Sequence, residues 1–307
     1  MMNEEPGVQE FHRRTTDVLS SLTKYEYELI FIDDGSTDST FEIISQLAQE
    51  DLRIRAIKLS RNFGHQIAIT AGIETARGDA VVVIDADLQD PPEVIPEFVD
   101  AWQQGYGVVY GVRTHRQGES GFKLITARIF YRLLSRLSDT PLPVDSGDFR
   151  LMSRKVVNAL NEIHEEHRYM RGLVAWVGYK QIGIPYERDS RHAGETKYTF
   201  RKMIRFAING ITSFSDKPLR MATQFGALVT AISLSIGMYF LINKIINPSM
   251  QIRGYASTMI AILFLGGIQL MSVGILGEYM GRTYTESKKR PLYFIDEAIN
   301  LDSSQDV

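Results

Sequence analysis

The stretch VVVIDADLQDPPE, residues 81–93, decides the fold. An apolar, mostly β-branched run delivers Asp85 and Asp87, and Gln89-Asp90-Pro91-Pro92 then halts the extended chain and opens a helix. A short apolar run bounded by turn signals reads as a strand buried on both faces. Proline in a first helical turn is already set for helix. Alternate residues of an extended segment point the same way, so Asp85 and Asp87 converge beyond the strand. Two hard oxygen ligands at a strand end suit Mg²⁺ or Mn²⁺, an ion that would bridge a diphosphate and stabilise it as a leaving group. An isolated Asp-x-Asp is common on solvated surfaces; the strand before this one and the proline stop after it set it apart.

Working outward, ELIFID (28–33), IRAIKL (54–59), AVVVID (80–85) and VVYGV (108–112) are similar runs and are expected as buried parallel strands. Val8, Phe11, Thr15, Val18 and Leu22 make one helical stripe, and Phe41, Ile44 and Leu47 another behind a Ser36-Thr37-Asp38 cap signal. Strand alternating with helix predicts a doubly wound, Rossmann-like α/β sheet. In such sheets ligands sit at the carboxyl ends of strands. Two strands end there in acids, at Asp33-Asp34 and at Asp85. In FIDDGSTDST (31–40), strand-end carboxylates before Gly35 and a polar turn can hydrogen-bond a ribose or base edge, and the same residues can cap the helix that follows. Neither Gly-x-Gly-x-x-Gly nor a Walker lysine loop is present, so dinucleotide oxidoreductases and P-loop NTPases lose their signatures.

Composition narrows the class further. The 307 residues are 44% hydrophobic and 23% charged, as in an ordinary folded protein, and a net charge of −3 argues against nucleic acid as a partner. Zero cysteines exclude disulfides, thiolate metal sites and a cysteine nucleophile. Residues 1–10 are polar, and no signal peptide is expected there.

The apolar residues are unevenly spread. Residues 221–242 and 255–277 carry no charge, and at 1.5 Å per residue each is about 33 Å long as a helix, enough for a bilayer core of roughly 30 Å. The linker, residues 243–254, is short and holds Pro248. This predicts a transmembrane hairpin. Lys197, Arg201, Lys202, Arg205, Lys217 and Arg220 precede it and Arg282, Lys288, Lys289 and Arg290 follow it, against Lys244 and Arg253 in the linker. Ten against two places both ends, and the large N-terminal part, in the cytoplasm at the inner membrane. Small residues Gly266, Gly267, Ser272, Gly274 and Gly277 permit close helix or oligomer packing. Phe200, Ile204, Ala207, Ile208, Ile211 and Phe214 share one face beside Arg201, Lys202 and Arg205, which reads as an interfacial helix on anionic lipid.

FIDDGSTDST, KLSRNFGHQIAITAGIETARGD (58–79), DADLQDPPE, GVRTHRQGES (111–120), SGDFRLMSR (146–154) and SRHAGETKY (190–198), followed by two spans, resemble in order an inverting family-two glycosyltransferase of GT-A fold. The likeness is to the polyprenyl-phosphate hexose synthases, most of all the bacterial GtrB type that charges undecaprenyl phosphate with glucose. Dolichyl-phosphate mannose synthases and the aminoarabinose transferase are similar. The resemblance implies a UDP-sugar donor, a polyprenyl phosphate acceptor, Mg²⁺ or Mn²⁺, and a homo-oligomer, a tetramer. By motif, Asp33, Asp34, Asp85 and Arg113 bind donor, and Asp87, Asp85 and Gln89 hold the metal. Asp148, Asp87 and Arg116 are catalytic, and Arg191, Lys197 and Arg128 take the acceptor phosphate. Asp148 is the family's candidate base. A phosphate monoester has a second pKa near ~6, so the acceptor is largely dianionic at neutral pH and Asp148 need only orient acceptor or sugar.

The family opens with a strand ending Pro-x-Tyr-Asn-Glu-Glu. Only Asn3-Glu4-Glu5 matches here, so that strand is expected to be absent from this sequence. Tyr169–Leu173 with Trp176 is expected as a packed segment under the site. The Gln-x-x-Arg-Trp motif of processive synthases is absent. The expected division is a GT-A catalytic domain over 1–199, an amphipathic helix over 200–217, a hairpin over 218–280 and a cytoplasmic tail over 281–307. Two rivals stay open: the same fold with GDP-mannose or a UDP-aminosugar as donor, and an inactive membrane-anchored nucleotide-sugar binding protein.

Overall fold

The computed structural model describes residues 1–114, 146–166, 168–187, 217–246 and 254–301. The chain divides into two units, Met1–Arg205 with Arg290–Val307, and Phe206–Lys289.

In the first unit the order is α1 (Val8–Ser21), β1 (Leu29–Asp33), α2 (Thr40–Glu50), β2 (Ile54–Leu59), α3 (His65–Thr75), β3 (Ala80–Val83), a 3-10 turn (Pro92–Val94) and α4 (Ile95–Gln103). There follow β4 (Val108–Arg113), β5 (Ser146–Ser153), α5 (Arg154–Asn161), α6 (Met170–Trp176), β6 (Gln181–Tyr186) and β7 (Ile295–Ile299). The two helical stripes become α1 and α2, with Val8, Phe11 and Thr15 of the first buried, and Phe41 and Ile44 of the second. Asp38 rather than the flanking serines caps α2, its Oδ1 accepting the Thr40 N–H at 3.1 Å.

The strands form two sheets, β1-β2-β7 and β3-β5-β4-β6. The expectation of parallel strands holds for β1 with β2 and for β4 with β6. It fails elsewhere: β5 lies antiparallel between β3 and β4, and β7 antiparallel on β2. Strand direction depends on how the chain returns to the sheet, which a local apolar run does not encode. The tail expected over 281–307 contributes β7, whose Ile299 packs on the Phe31–Ile44–Ile54 core. Beside the end of β1, the Met1 amino group donates to the Ile32 carbonyl at 2.6 Å and the Asp34 N–H to the Met1 carbonyl at 2.8 Å.

Alternation along β5 sends Phe149 and Leu151 to a core with Phe98 and Val109, and Asp148 and Arg150 to the other face. The Phe98 and Phe149 rings are 4.7 Å apart. That core fixes β5, and β5 fixes Asp148.

The second unit contains α7 (Lys217–Ile246) and α8 (Tyr255–Ser287), 30 and 33 residues long. They contain the two uncharged stretches. Among the described residues one 18-residue window, Ala222–Tyr239, is apolar and long enough to cross a membrane. Leu228, Ile232, Leu234 and Ile236 on α7 and Phe264, Leu270 and Val273 on α8 are exposed, an arrangement favourable in hydrocarbon and unfavourable in water.

Candidate active site

Three chain segments meet at one end of the strands. The first is the end of β1. Asp33 and Asp34 are buried. Asp33 accepts the Ser36 N–H at 3.1 Å and also the Ser36 hydroxyl. Asp34 accepts the Phe63 and Gly64 N–H groups at 2.7 and 2.9 Å, which ties the β1 end to the turn opening α3. Gly35 has φ 71°, and a Cβ there would lie 2.6 Å from the Arg61 carbonyl carbon, so only glycine lets the two loops approach. The turn-capping reading of this motif is thus observed.

The second segment follows β3, which stops at Val83, two residues before Asp85. Leu88 takes φ 60° with its side chain buried in the Val8–Phe11–Phe31 core. A left-handed non-glycine residue costs about 1–3 kcal/mol and persists where packing over-determines it. Here it reverses the chain between Asp87 and Gln89, whose N–H donates to Asp87 Oδ1 at 3.1 Å. Burial pushes the Asp85 carboxyl up; His65 opposes this, and the charges of Asp148, Asp90 and Asp87 add to it. Crowded carboxylates of this kind are what a divalent cation relieves. Among the described residues no group of three or more His, Asp or Glu forms a closed metal cage. Carboxylates crowded around Asp85 in this way suit a hard cation whose remaining ligands come from substrate oxygens and water.

The third segment is β5. Arg171 Nε donates to Asp148 Oδ1 at 2.9 Å and its Nη2 to Oδ2 at 3.1 Å. His65 Nε2 lies 3.0 Å from Asp148 Oδ2 and 3.7 Å from Asp85 Oδ1, bridging the second and third segments. Burial alone would raise the Asp148 carboxyl. Hydrogen bonds from His65 and Arg171, with the charges of Arg171 and Arg150, outweigh it and hold the group well below the usual carboxylate range. The contact with Asp148 is the main cause of the raised His65 pKa. Arg150, fully enclosed, falls to about 10 through burial.

At the end of β4, Arg113 Nε donates to the Tyr186 hydroxyl at 3.3 Å, and its Nη2 is 3.8 Å from Asp90 Oδ1. Tyr186 in turn donates to Asp90 at 2.5 Å. Burial, reinforced by Asp90, raises the Tyr186 phenol to about 12, so it stays a donor.

The structure therefore brings Asp33, Asp34, Asp85, Asp87, Gln89, Arg113 and Asp148 to the strand ends. Arg116, Arg128, Arg191, Lys197 and residues 200–216 lie outside the described residues. Sequence reasoning missed His65, Arg171, Asp90 and Tyr186 as members of the site. His65 opens α3 after the short loop that follows the carboxyl end of β2, a position that could have marked it. Arg171 lies in the segment expected to pack under the site; Met170, Gly172, Leu173 and Val174 are buried there, whereas Trp176, expected to pack with them, is exposed.

Residues 1–160 match the glycosyl transferase family 2 domain, and residues 217–283 match the GtrB C-terminal hairpin. An uncharacterized glycosyltransferase of Synechocystis sp. is 47% identical over 98% of this chain and 94% of its own length. A bactoprenol glucosyl transferase of Shigella phage SfV is 42% identical over 96% of this chain and 95% of its own. Among solved structures, glucosyl-3-phosphoglycerate synthase from Mycobacterium tuberculosis with Mn²⁺, UDP-glucose and phosphoglyceric acid aligns with TM-score 0.44 at 22% identity, over 69% of this chain and 76% of that one.

Proposed function

Because the chain belongs to glycosyl transferase family 2, we propose that it transfers glucose from UDP-glucose to a polyprenyl phosphate at the cytoplasmic membrane face. One observation carries this reading: a family 2 domain and a GtrB hairpin lie in one chain that aligns almost end to end with bactoprenol glucosyl transferases. The chain is a membrane-associated glycosyltransferase; donor, carrier and topology are the proposal.

In this reading Asp33 and Asp34 shape the uridine end of the donor site. Arg113, aimed by Tyr186 and Asp90, would meet the diphosphate, and Arg116 is assigned to the same group by motif. Asp85, Asp87 and Gln89 would hold Mg²⁺ or Mn²⁺, which when bound neutralises the diphosphate as it departs. Arg191, Lys197 and Arg128 are assigned to the acceptor phosphate, the first two because they come just before the basic amphipathic stretch 200–217 in sequence. A lipid phosphate oxygen forms a bond to C1 as the bond from C1 to the UDP oxygen breaks. The electron pair leaves with UDP, and C1 inverts. No proton has to be removed from a dianionic acceptor, so the chain's contribution is positioning and charge stabilisation.

Asp87→Ala tests the donor side. With radiolabelled UDP-glucose and polyprenyl phosphate, its turnover should fall at least about a hundredfold, the scale of losing one stabilising group at a developing charge. Turnover near wild type would remove the metal assignment.

A further inference from the structure

Asp148 is enclosed by its own partners. Its side chain is 5% exposed, and its carboxylate oxygens meet Arg171 twice and His65 once, with Arg150 Nη2 at 3.8 Å. A carboxylate so occupied is a poor hydrogen-bond acceptor for a substrate and a poor base. The groups of this cluster that reach the surface are His65, 52% exposed, and Arg171, 26% exposed. Two guanidiniums and an imidazole against one carboxylate leave the cluster positively charged. It stands beside Asp85, at 3.7 Å from His65, where the acids of the second segment crowd together. An anionic nucleophile approaching those acids and a diphosphate is repelled unless a fixed cation lies on its path.

Resting on the functional reading above, we propose that His65 and Arg171 bind the phosphate monoester of the acceptor, with Asp148 as the positioning residue that holds both. The Asp148 carboxyl, kept well below the usual range, stays ionised and keeps its grip through the physiological pH range. Arg171 suits the task because a guanidinium can keep a bidentate carboxylate on one edge and still present charge to a phosphate. His65 and Arg171 are thus two groups for the acceptor phosphate beyond the Arg191, Lys197 and Arg128 assigned to it by motif.

The test uses the full-length protein in lipid nanodiscs. Arg171→Ala and His65→Ala should each raise the Michaelis constant for polyprenyl phosphate about ten- to a hundredfold, while the dissociation constant for UDP-glucose changes by less than about twofold. Arg171→Lys should recover part of the loss, since a point charge without the fork keeps attraction and loses geometry. Arg171→Ala leaves Asp148 with fewer partners and invites misfolding, so Arg171→Gln combined with Asp148→Asn removes both charges and keeps the shape. It should bind UDP-glucose normally and still use acceptor poorly. Loss of UDP-glucose binding with an unchanged acceptor constant would overturn the assignment, as would a fall in kcat with both constants unchanged.

Calorimetric titration of a short-chain prenyl phosphate, without donor, separates this inference from the functional reading. Wild type should bind it and Arg171→Ala about ten- to a hundredfold more weakly, whether or not glucose is transferred. If wild type transfers no glucose to polyprenyl phosphate but Arg171 still governs prenyl phosphate binding, the functional reading fails and the site stands. If transfer proceeds and neither substitution alters prenyl phosphate binding, the site fails and the reading stands. Inorganic phosphate titrated in parallel should bind more weakly; equal affinity would make this a site for the free anion and overturn its assignment to the acceptor.

Discussion

A carboxylate with only 5% of its side chain exposed persists as an anion where cations and donors meet it, and Asp148 meets Arg171, His65 and Arg150. Its folded-state pKa lies below its unfolded value of about 3.9. The stabilisation is therefore fully present above that unfolded value and is lost as pH falls below it toward the folded one. Asp148→Asn should cost about 3 kcal/mol near neutral pH, the scale of breaking a buried ion pair by removing one partner. The gap from wild type should narrow as pH drops below about 4. Urea unfolding of the two proteins across pH 3–7 measures this; a gap that stays constant would mean that Asp148 does not act through its charge. Asp33, Asp34, Asp85 and Asp87 were legible in the sequence because they stand at or just beyond the ends of apolar runs and needed no partner to be noticed. His65 and Arg171 were not legible as site residues. They act through contacts to Asp148 across 83 and 23 residues of chain, and that pairing is a product of the fold.

Among the elements, β1 to β4 were legible to within a residue or two because each is a continuous apolar, mostly β-branched run, although β3, expected to be buried, is only half-buried. The directions of β5 and β7 were not, since pairing direction is a non-local property. The behaviour of 295–299 was hidden for another reason: IDEAI is short and acidic, and four of its five residues stay exposed. What holds β7 is its register on β2 and its end. Asn300, at φ 57°, donates from Nδ2 to the Ala48 and Ile54 carbonyls at 2.6 and 2.8 Å. Asparagine tolerates that backbone and makes both bonds, whereas alanine does neither. Asn300→Ala should destabilise the protein by about 2 kcal/mol, from lost hydrogen bonds and a strained backbone. Asn300→Gly, which relieves the strain alone, should lose less. Equal midpoints for all three proteins in urea would show that β7 does not contribute to the stability of the sheet.

At the scale of the whole molecule, the match to the GtrB hairpin and the outward apolar faces of α7 and α8 associate the enzyme with membrane. The basic flanks predict that residues 243–254 lie on the far side. The chain has no cysteine, so a single Ser249→Cys carries the only reactive thiol. A membrane-impermeant maleimide should label it from outside intact cells, and labelling only after the cytoplasm is opened would reverse the topology. Purified full-length protein is given radiolabelled UDP-glucose and undecaprenyl phosphate with Mg²⁺ or Mn²⁺, and organic extraction then separates lipid-linked from water-soluble label. Label should enter the lipid phase, be abolished by chelator, be restored by metal, and be much reduced when GDP-mannose or UDP-N-acetylglucosamine replaces the donor. Label that remains water-soluble while the protein binds UDP-glucose, or preferential transfer from one of the other donors, would contradict the proposed reaction.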